Sequence, residues 1–270
     1  MSPRSRREAP TPLTAAVLEG LDAAELRERA AAVVIDLRTG ATSAWRADED
    51  IYPASIVKLA LMAEAFRRFD DGSLSPDAHE VIARRNLTLT AEPTPLIEGY
   101  RARVAELVAL MIERSDNIAT NQLIDLLERK RVEDSMRALR LEHFRLGRKL
   151  SGSEPLVDDP ESGERNSMPP ADAAKLLGLI AIGAVPGAAQ QRELLARCVD
   201  RTKLVDGLLP GDRFMHKTGE TSAVAHDAGI LRTADGHEYV IVLYTTGHRS
   251  VLGGPDAAMA AWMRSVRARL

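Results

Sequence analysis

Ser55 and Lys58 stand three residues apart in Tyr52-Pro53-Ala54-Ser55-Ile56-Val57-Lys58, directly before the apolar run Leu59-Ala60-Leu61-Met62-Ala63-Glu64-Ala65-Phe66. Pro53 can open a helix, because the first helical turn has no use for its missing N–H. Ser55 then falls in the first turn and Lys58 one turn along the same face, an amine beside a hydroxyl. A serine hydroxyl is a weak nucleophile until a base withdraws its proton. A lysine can be that base when burial and nearby positive charge depress its pKa. The helix N-terminus also favours negative charge developing near Ser55. Taken alone, the same spacing describes a helix cap followed by a surface lysine.

Two further clusters carry hydroxyl, amide and amine groups. Ser115-Asp116-Asn117 lies between two helical stretches, where serine and asparagine ordinarily serve as caps. Lys217-Thr218-Gly219 lies on a strand, where the plain reading is an edge strand with a solvated lysine. Their ordered occurrence with Ser55 and Lys58 gives them weight, since each motif appears in its expected structural setting. Lysines occur only at 58, 130, 149, 175, 203 and 217, the other basic residues being arginines, so a lysine-dependent pattern seldom arises here by chance.

Hydrophobic periodicity supplies the elements that position these groups. A helix is expected over residues 13–29, followed by strands over 31–37 and 41–46 broken at Arg38-Thr39-Gly40. From Pro53 to Val185 the pattern is mainly helical. The Ser55 helix runs to about Phe69, where Asp70-Asp71-Gly72 stops it, and its all-round apolar body predicts a buried central helix. Further helices are expected over 103–114, 117–129, 132–139 and 170–182. The segment 147–170 lacks sustained periodicity and reads as an irregular loop, functional or else disordered. Strands return at 213–219, 226–232 and 238–245, the last two joined by the hairpin turn Ala234-Asp235-Gly236, and a helix over 255–269 closes the chain. The expected fold is α+β, an antiparallel sheet flanked by terminal helices with an all-helical subdomain inserted. The chain forms one domain, its sheet part drawn from residues 13–50 and 195–270, its helical part from 51–194, with 1–12 a mobile arm.

At 270 residues, 45% hydrophobic and 28% charged, the chain is of ordinary globular composition. A net charge of -3 offers nothing to nucleic acid, and no stretch is apolar enough to span a membrane. The basic start, Met1 to Arg7, lacks a following apolar core, so cytoplasmic residence is the default expectation unless an unrecognised export route applies. Cys198 is the only cysteine; an intramolecular disulfide is excluded, and its helical context predicts a buried structural thiol.

Together the three motifs resemble those of the penicillin-recognising serine enzymes, most closely the class A β-lactamases, and the resemblance covers residues 15–268. Ile118-Ala119-Thr120-Asn121, Tyr244-Thr245-Thr246-Gly247 and Gly163-Glu164-Arg165-Asn166 extend it. It implies a β-lactamase/transpeptidase-like fold in which Ser55 is the nucleophile that forms an acyl-enzyme and Lys58 its proton partner. Ser115 would relay a proton to the leaving nitrogen, and Asn117 would hold the substrate's side-chain amide. Lys217, Thr218 and Gly219 would meet the substrate carboxylate, while the N–H groups of Ser55 and Glu220 would form the oxyanion hole. No metal or organic cofactor is implied, and the expected partner is a small molecule (a β-lactam, ester or peptide) acting on a monomer.

The sequence also departs from the family pattern. Class A enzymes activate the deacylating water with a loop glutamate in Glu-x-x-x-Asn; here Glu154 is the candidate, with Asp158 where the asparagine belongs. A second carboxylate there would disturb the first. The stretch after Lys217-Thr218-Gly219 lacks the arginine that often assists carboxylate binding, leaving His226 or Arg249 as substitutes, and structural work is the favoured reading of His226. Glu220 would place an acid at the mouth of the site. The alternatives to a β-lactamase are a related serine esterase or D-alanyl-D-alanine peptidase, and a penicillin-binding sensor or receptor domain.

Overall fold

A computed structural model describes residues 11–152, 156–158, 165–247 and 254–270. Helix α1 (Pro12–Ala23) begins at a Thr11 cap, with Pro12 in the first turn. It ends six residues earlier than the periodicity predicts. Glu25 takes a φ of 57° and the Leu26 N–H returns to the Leu21 carbonyl at 2.8 Å, so residues 24–29 become a turn that delivers the chain into the sheet.

Five strands, β1 (Ala30–Asp36), β2 (Thr42–Trp45), β5 (Arg213–Glu220), β6 (Val224–Arg232) and β7 (Glu238–Thr246), form an antiparallel sheet in the order β2-β1-β7-β6-β5. Both faces are covered, and alternation shows it. On β7, Val240, Val242 and Tyr244 join the core toward the helical part, while Tyr239, Ile241 and Leu243 join the core under the terminal helices. That two-sided burial is why these strands read as continuous apolar runs. The second core is closed by α1 and α8 (Gly254–Arg267), where Trp262 is buried and donates its indole N–H to Val17 O.

The helical part is built around α2 (Lys58–Asp70), buried over most of its length as its composition predicts. Around it lie α3 (Val104–Glu113), α4 (Asn117–Leu127), α5 (Arg129–Ala138), α6 (Pro170–Ala181) and α7 (Ala188–Ala196). A two-stranded sheet of β3 (His79–Val81) and β4 (Arg101–Arg103) is an addition that periodicity does not reveal, because three-residue, mostly exposed strands carry no repeat. Cys198 lies two residues past the end of α7 rather than within a helix, and is 3% exposed.

Candidate active site

Ser55 sits in a 3-10 turn, Ala54–Val57, that leads into α2. The turn is tight: Ala54 has a φ of 47°, a conformation that costs a residue with a side chain about 1–3 kcal/mol. Strand β5 is an edge strand and runs against this turn. A Cβ placed on Gly219 would lie 3.0 Å from Pro53 O and 3.1 Å from Ser55 N, so glycine lets the two backbones meet this closely without displacing either. The backbones of Ser55 and of Gly219–Glu220 therefore converge on one spot.

Ser115-Asp116-Asn117 joins α3 to α4, and neither Ser115 nor Asn117 is the cap. Asp116 takes that role, its carboxylate accepting the Ala119 N–H at 2.9 Å. Ser115, held at a φ of 56°, and Asn117 are left to face α2. Lys58 Nζ lies 2.6 Å from Ser115 O, 2.9 Å from Asn117 Oδ1 and 3.0 Å from Ser115 Oγ. From the opposite side Lys217 Nζ reaches the same Ser115 Oγ at 2.9 Å and its neighbour's carbonyl, Thr218 O, at 2.8 Å. One hydroxyl is thus clasped between two amines.

Both lysines are fully buried. Lys217 is no solvated edge residue. Burial, then the positive charge of Lys217, push the Lys58 amine well below its ordinary value, against a smaller opposing pull from Asp116. Burial lowers Lys217 as well, though Cys198, Asp200 and Asp227 hold part of its charge in place. The partners of Lys58 fit a neutral amine: two N–H groups reach the sp2 oxygens of Ser115 and Asn117, and the lone pair is left for a hydroxyl proton. The arrangement can accept a proton at Lys58, hold an anion at Lys217 and pass a proton through Ser115.

Ser55, Ser115, Asn117, Lys217, Thr218 and Glu220 line one cleft of about 420 Å³. A larger cavity, about 570 Å³, lies elsewhere between α2, α3 and α7, lined by Phe66, Phe69 and Val108 among others, and includes no paired nucleophile and base. Glu220 is exposed at the cleft mouth, but it is not a bare acid. The buried Lys203 ammonium lies 2.9 Å from it, 3.2 Å from Asp200 and 3.5 Å from Asp256. Sequence reasoning passed over Lys203, and its φ of 57° and full burial are visible only in three dimensions.

The His226 side chain is fully buried. Its Nδ1 accepts the Thr245 N–H and its Nε2 lies 2.9 Å from Tyr52 O, while the ring stacks on Tyr244. The adjacent Asp227 turns away from it, because neighbours on a strand point to opposite faces, and binds His216, with Oδ1 2.7 Å from Nδ1. Glu154 and Arg249 lie outside the described residues. Asp158 is engaged by Arg129 at 2.5 Å and by the Lys149 N–H. The start of the irregular segment is pinned to α4, where Asn121 exchanges hydrogen bonds with the backbone of Leu150. Gly152 abuts Leu89 O, which also accepts from Asn117 Nδ2 at 3.4 Å.

Known structures share this architecture. A β-lactamase from Sphaerobacter thermophilus is 25% identical, with 94% of each chain covered and a TM-score of 0.77. An ancestral class A β-lactamase is 26% identical, covering 96% of this chain and 100% of that one, with a TM-score of 0.82. PBP-A, at 22% identity and a TM-score of 0.83 over 96% of each chain, shares the fold. A search of curated proteins finds no match. A family model described as the β-lactamase enzyme family matches residues 14–268, nearly the whole chain, and this protein therefore belongs to that family.

Proposed function

We propose that this chain is a serine hydrolase of the class A β-lactamase type, opening the β-lactam amide through an acyl-enzyme on Ser55. The observation that carries the reading is Ser115 Oγ clasped between Lys58 Nζ at 3.0 Å and Lys217 Nζ at 2.9 Å, in the cleft that Ser55 lines. Neutral Lys58 takes the Ser55 proton as Oγ bonds to the lactam carbonyl carbon. The oxyanion rests on the N–H groups of Ser55 and Glu220, which the Gly219 approach brings together. The C–N bond breaks as Ser115 hands a proton to the nitrogen and is reprotonated from the lysine side. Lys217 and Thr218 hold the substrate carboxylate, and Asn117 its side-chain amide. Water then clears the acyl group, with Glu154 as its base.

A likeness supports the acylation half: an acyl-enzyme complex of a PBP-A variant with penicillin G has this fold, at a TM-score of 0.80. Time-resolved intact-protein mass after mixing with a simple penicillin tests the proposal. An adduct that appears and clears in the wild type, and never forms in Ser55→Ala, is expected. An adduct that persists would instead mark a binding protein or a hydrolase of another acyl group, and acylation of Ser55→Ala at the wild-type rate would sink the assignment. Glu154→Gln is expected to trap the adduct.

A further inference from the structure

The cavity between the end of α2, α3 and α7 has no part in the chemistry above, yet at about 570 Å³ it lies within the size range of small-molecule sites. Its lining is largely apolar. Phe66 and Phe69, one turn apart on α2, pack edge to face with ring centres 5.5 Å apart, and Val108 and Leu194 lie beside them. Both rings are half-buried, so part of each faces the opening. The Phe66 ring is also fixed in place. Helix α7 starts from Gly187, at a φ of 63°, and a Cβ there would lie 2.2 Å from Phe66 Cδ1, so the ring rests directly on the backbone where α7 begins.

Two carboxylates, Asp70 and Glu193, line the same cavity, and neither has a salt-bridge or hydrogen-bond partner among the described residues. Each has an arginine one helical turn away, the usual spacing for an ion pair, and both arginines are committed elsewhere. Arg67, three residues before Asp70, binds Glu64 at 2.8 Å and Asp71 at 2.7 Å. Arg197, four residues after Glu193, turns to Glu113 at 2.6 Å. Arg197 is the one cation of the lining, and Glu113 neutralises it. The carbonyl end of α2, which closes at Asp70, adds to the negative potential. The cavity therefore joins aromatic surface to unanswered negative charge. A metal ion fits it poorly: two carboxylates beside aromatic rings leave most of an oxygen shell unfilled, and no group of three or more acidic, histidine or cysteine side chains placed to hold a metal occurs among the described residues. An ammonium carried on an apolar group meets both features at once.

We propose that this cavity is a second binding site, taking a small organic cation in which an aromatic or aliphatic group carries one ammonium. The apolar group packs against Phe66, Phe69 and Val108, and the ammonium is held at the rim by Asp70 and Glu193. The site shares no lining residue with the Ser55 cleft, so it stands apart from the serine chemistry.

The experiment titrates the full chain, by ligand-observed NMR at neutral pH, with 4-phenylbutylamine and with its uncharged analogue 4-phenyl-1-butanol. The amine should bind about fivefold or more tightly than the alcohol, and the advantage should shrink in about 0.5 M salt. Asp70→Asn combined with Glu193→Gln should bring the amine down to the level of the alcohol and leave the alcohol unchanged. Ala105→Leu, which fills the cavity from α3, should remove both ligands, with urea denaturation showing that the variant is folded. Glu220→Gln, at the mouth of the Ser55 cleft, should change neither. Equal binding of amine and alcohol, no binding of the amine, or an amine that ignores the Asp70 and Glu193 changes would each overturn the proposal. Loss of the amine in Glu220→Gln would place it in the cleft instead. A dimer in sedimentation that Ala105→Leu dissolves would give the cavity to a second copy of the chain, and overturn the proposal as well.

Discussion

Lys58 and Lys217 on one side, Lys149 and Lys203 on the other, are all buried, and the two pairs are solvated by opposite means. Lys203 faces Asp200, Glu220 and Asp256, and Lys149 faces Asp125 at 2.7 Å. Around Lys203 the carboxylates more than repay burial and push the amine above its ordinary value. Lys58 has instead a carbonyl, an amide oxygen, a hydroxyl and a second cation beyond the hydroxyl, and its amine falls. Burial is common to both pairs and distinguishes nothing. What separates the two pairs is whether a carboxylate touches the buried amine or only neutral acceptors do.

The largest expected effects test that contrast directly. Lys58→Ala should slow acylation at Ser55 by about a thousandfold or more, within the range of general-base catalysis, while the folded state persists. Lys203→Met should do the reverse, costing about 2 kcal/mol of stability and less than tenfold in acylation. That cost is below the 3–5 kcal/mol typical of a fully buried broken pair, because the abandoned carboxylates reach water. Stopped-flow acylation and urea denaturation of both variants decide it. If Lys203→Met abolishes acylation without loss of stability, the division fails.

A somewhat smaller effect lies in pH. With Lys58 as the proposed base, acylation needs its neutral amine and should fall as acid protonates that amine through its lowered pKa. Lys217 is one of the causes of that lowering, second to burial. In Lys217→Met the amine should rise and the acid limb of the acylation profile move to higher pH, on top of weaker binding of the substrate carboxylate. A limb that stays in place would mean that Lys58 does not set it. Gly219→Ala should slow acylation by about tenfold, since the methyl group crowds Ser55 N, with the loss appearing in the rate and little in stability.

Much of this was legible in the chain. The strands were readable because both faces of the sheet are buried and apolar runs cannot hide; α2 was readable because it is apolar all round. Ser55, Lys58, Ser115, Asn117 and Lys217 stood out through ordered motifs, and the structure brings the side chains of Lys58, Ser115, Asn117 and Lys217 together. Long-range pairing was not legible. Asp227 pairs with His216, eleven residues away, because β5 and β6 pack side by side, not with its neighbour His226. Cys198 stands in irregular chain past α7 and Lys203 opens a five-residue 3-10 helix, too short for periodicity to fix. The early end of α1 was hidden because Glu25 carries no mark of the left-handed conformation it adopts.

The smallest expected effect concerns His216 as a scaffold residue. Its folded value of about 9 exceeds the ordinary 6.5, so its contribution to stability is complete below about pH 6.5, is lost as pH rises toward 9, and is gone above it. A tenfold change in proton affinity is worth about 1.4 kcal/mol, which makes the full contribution roughly 3 kcal/mol. Cys198 is a smaller cause of the rise after Asp227, so the measurement belongs in a Cys198→Ala background, where Asp227 is left to hold the imidazolium. Denaturation of that variant with and without His216→Asn should show a stability gap at pH 6 that closes by pH 10. A gap equal at both pH values would mean His216 packs as a neutral ring, and the buried charge beside Lys217 would have to be reassigned.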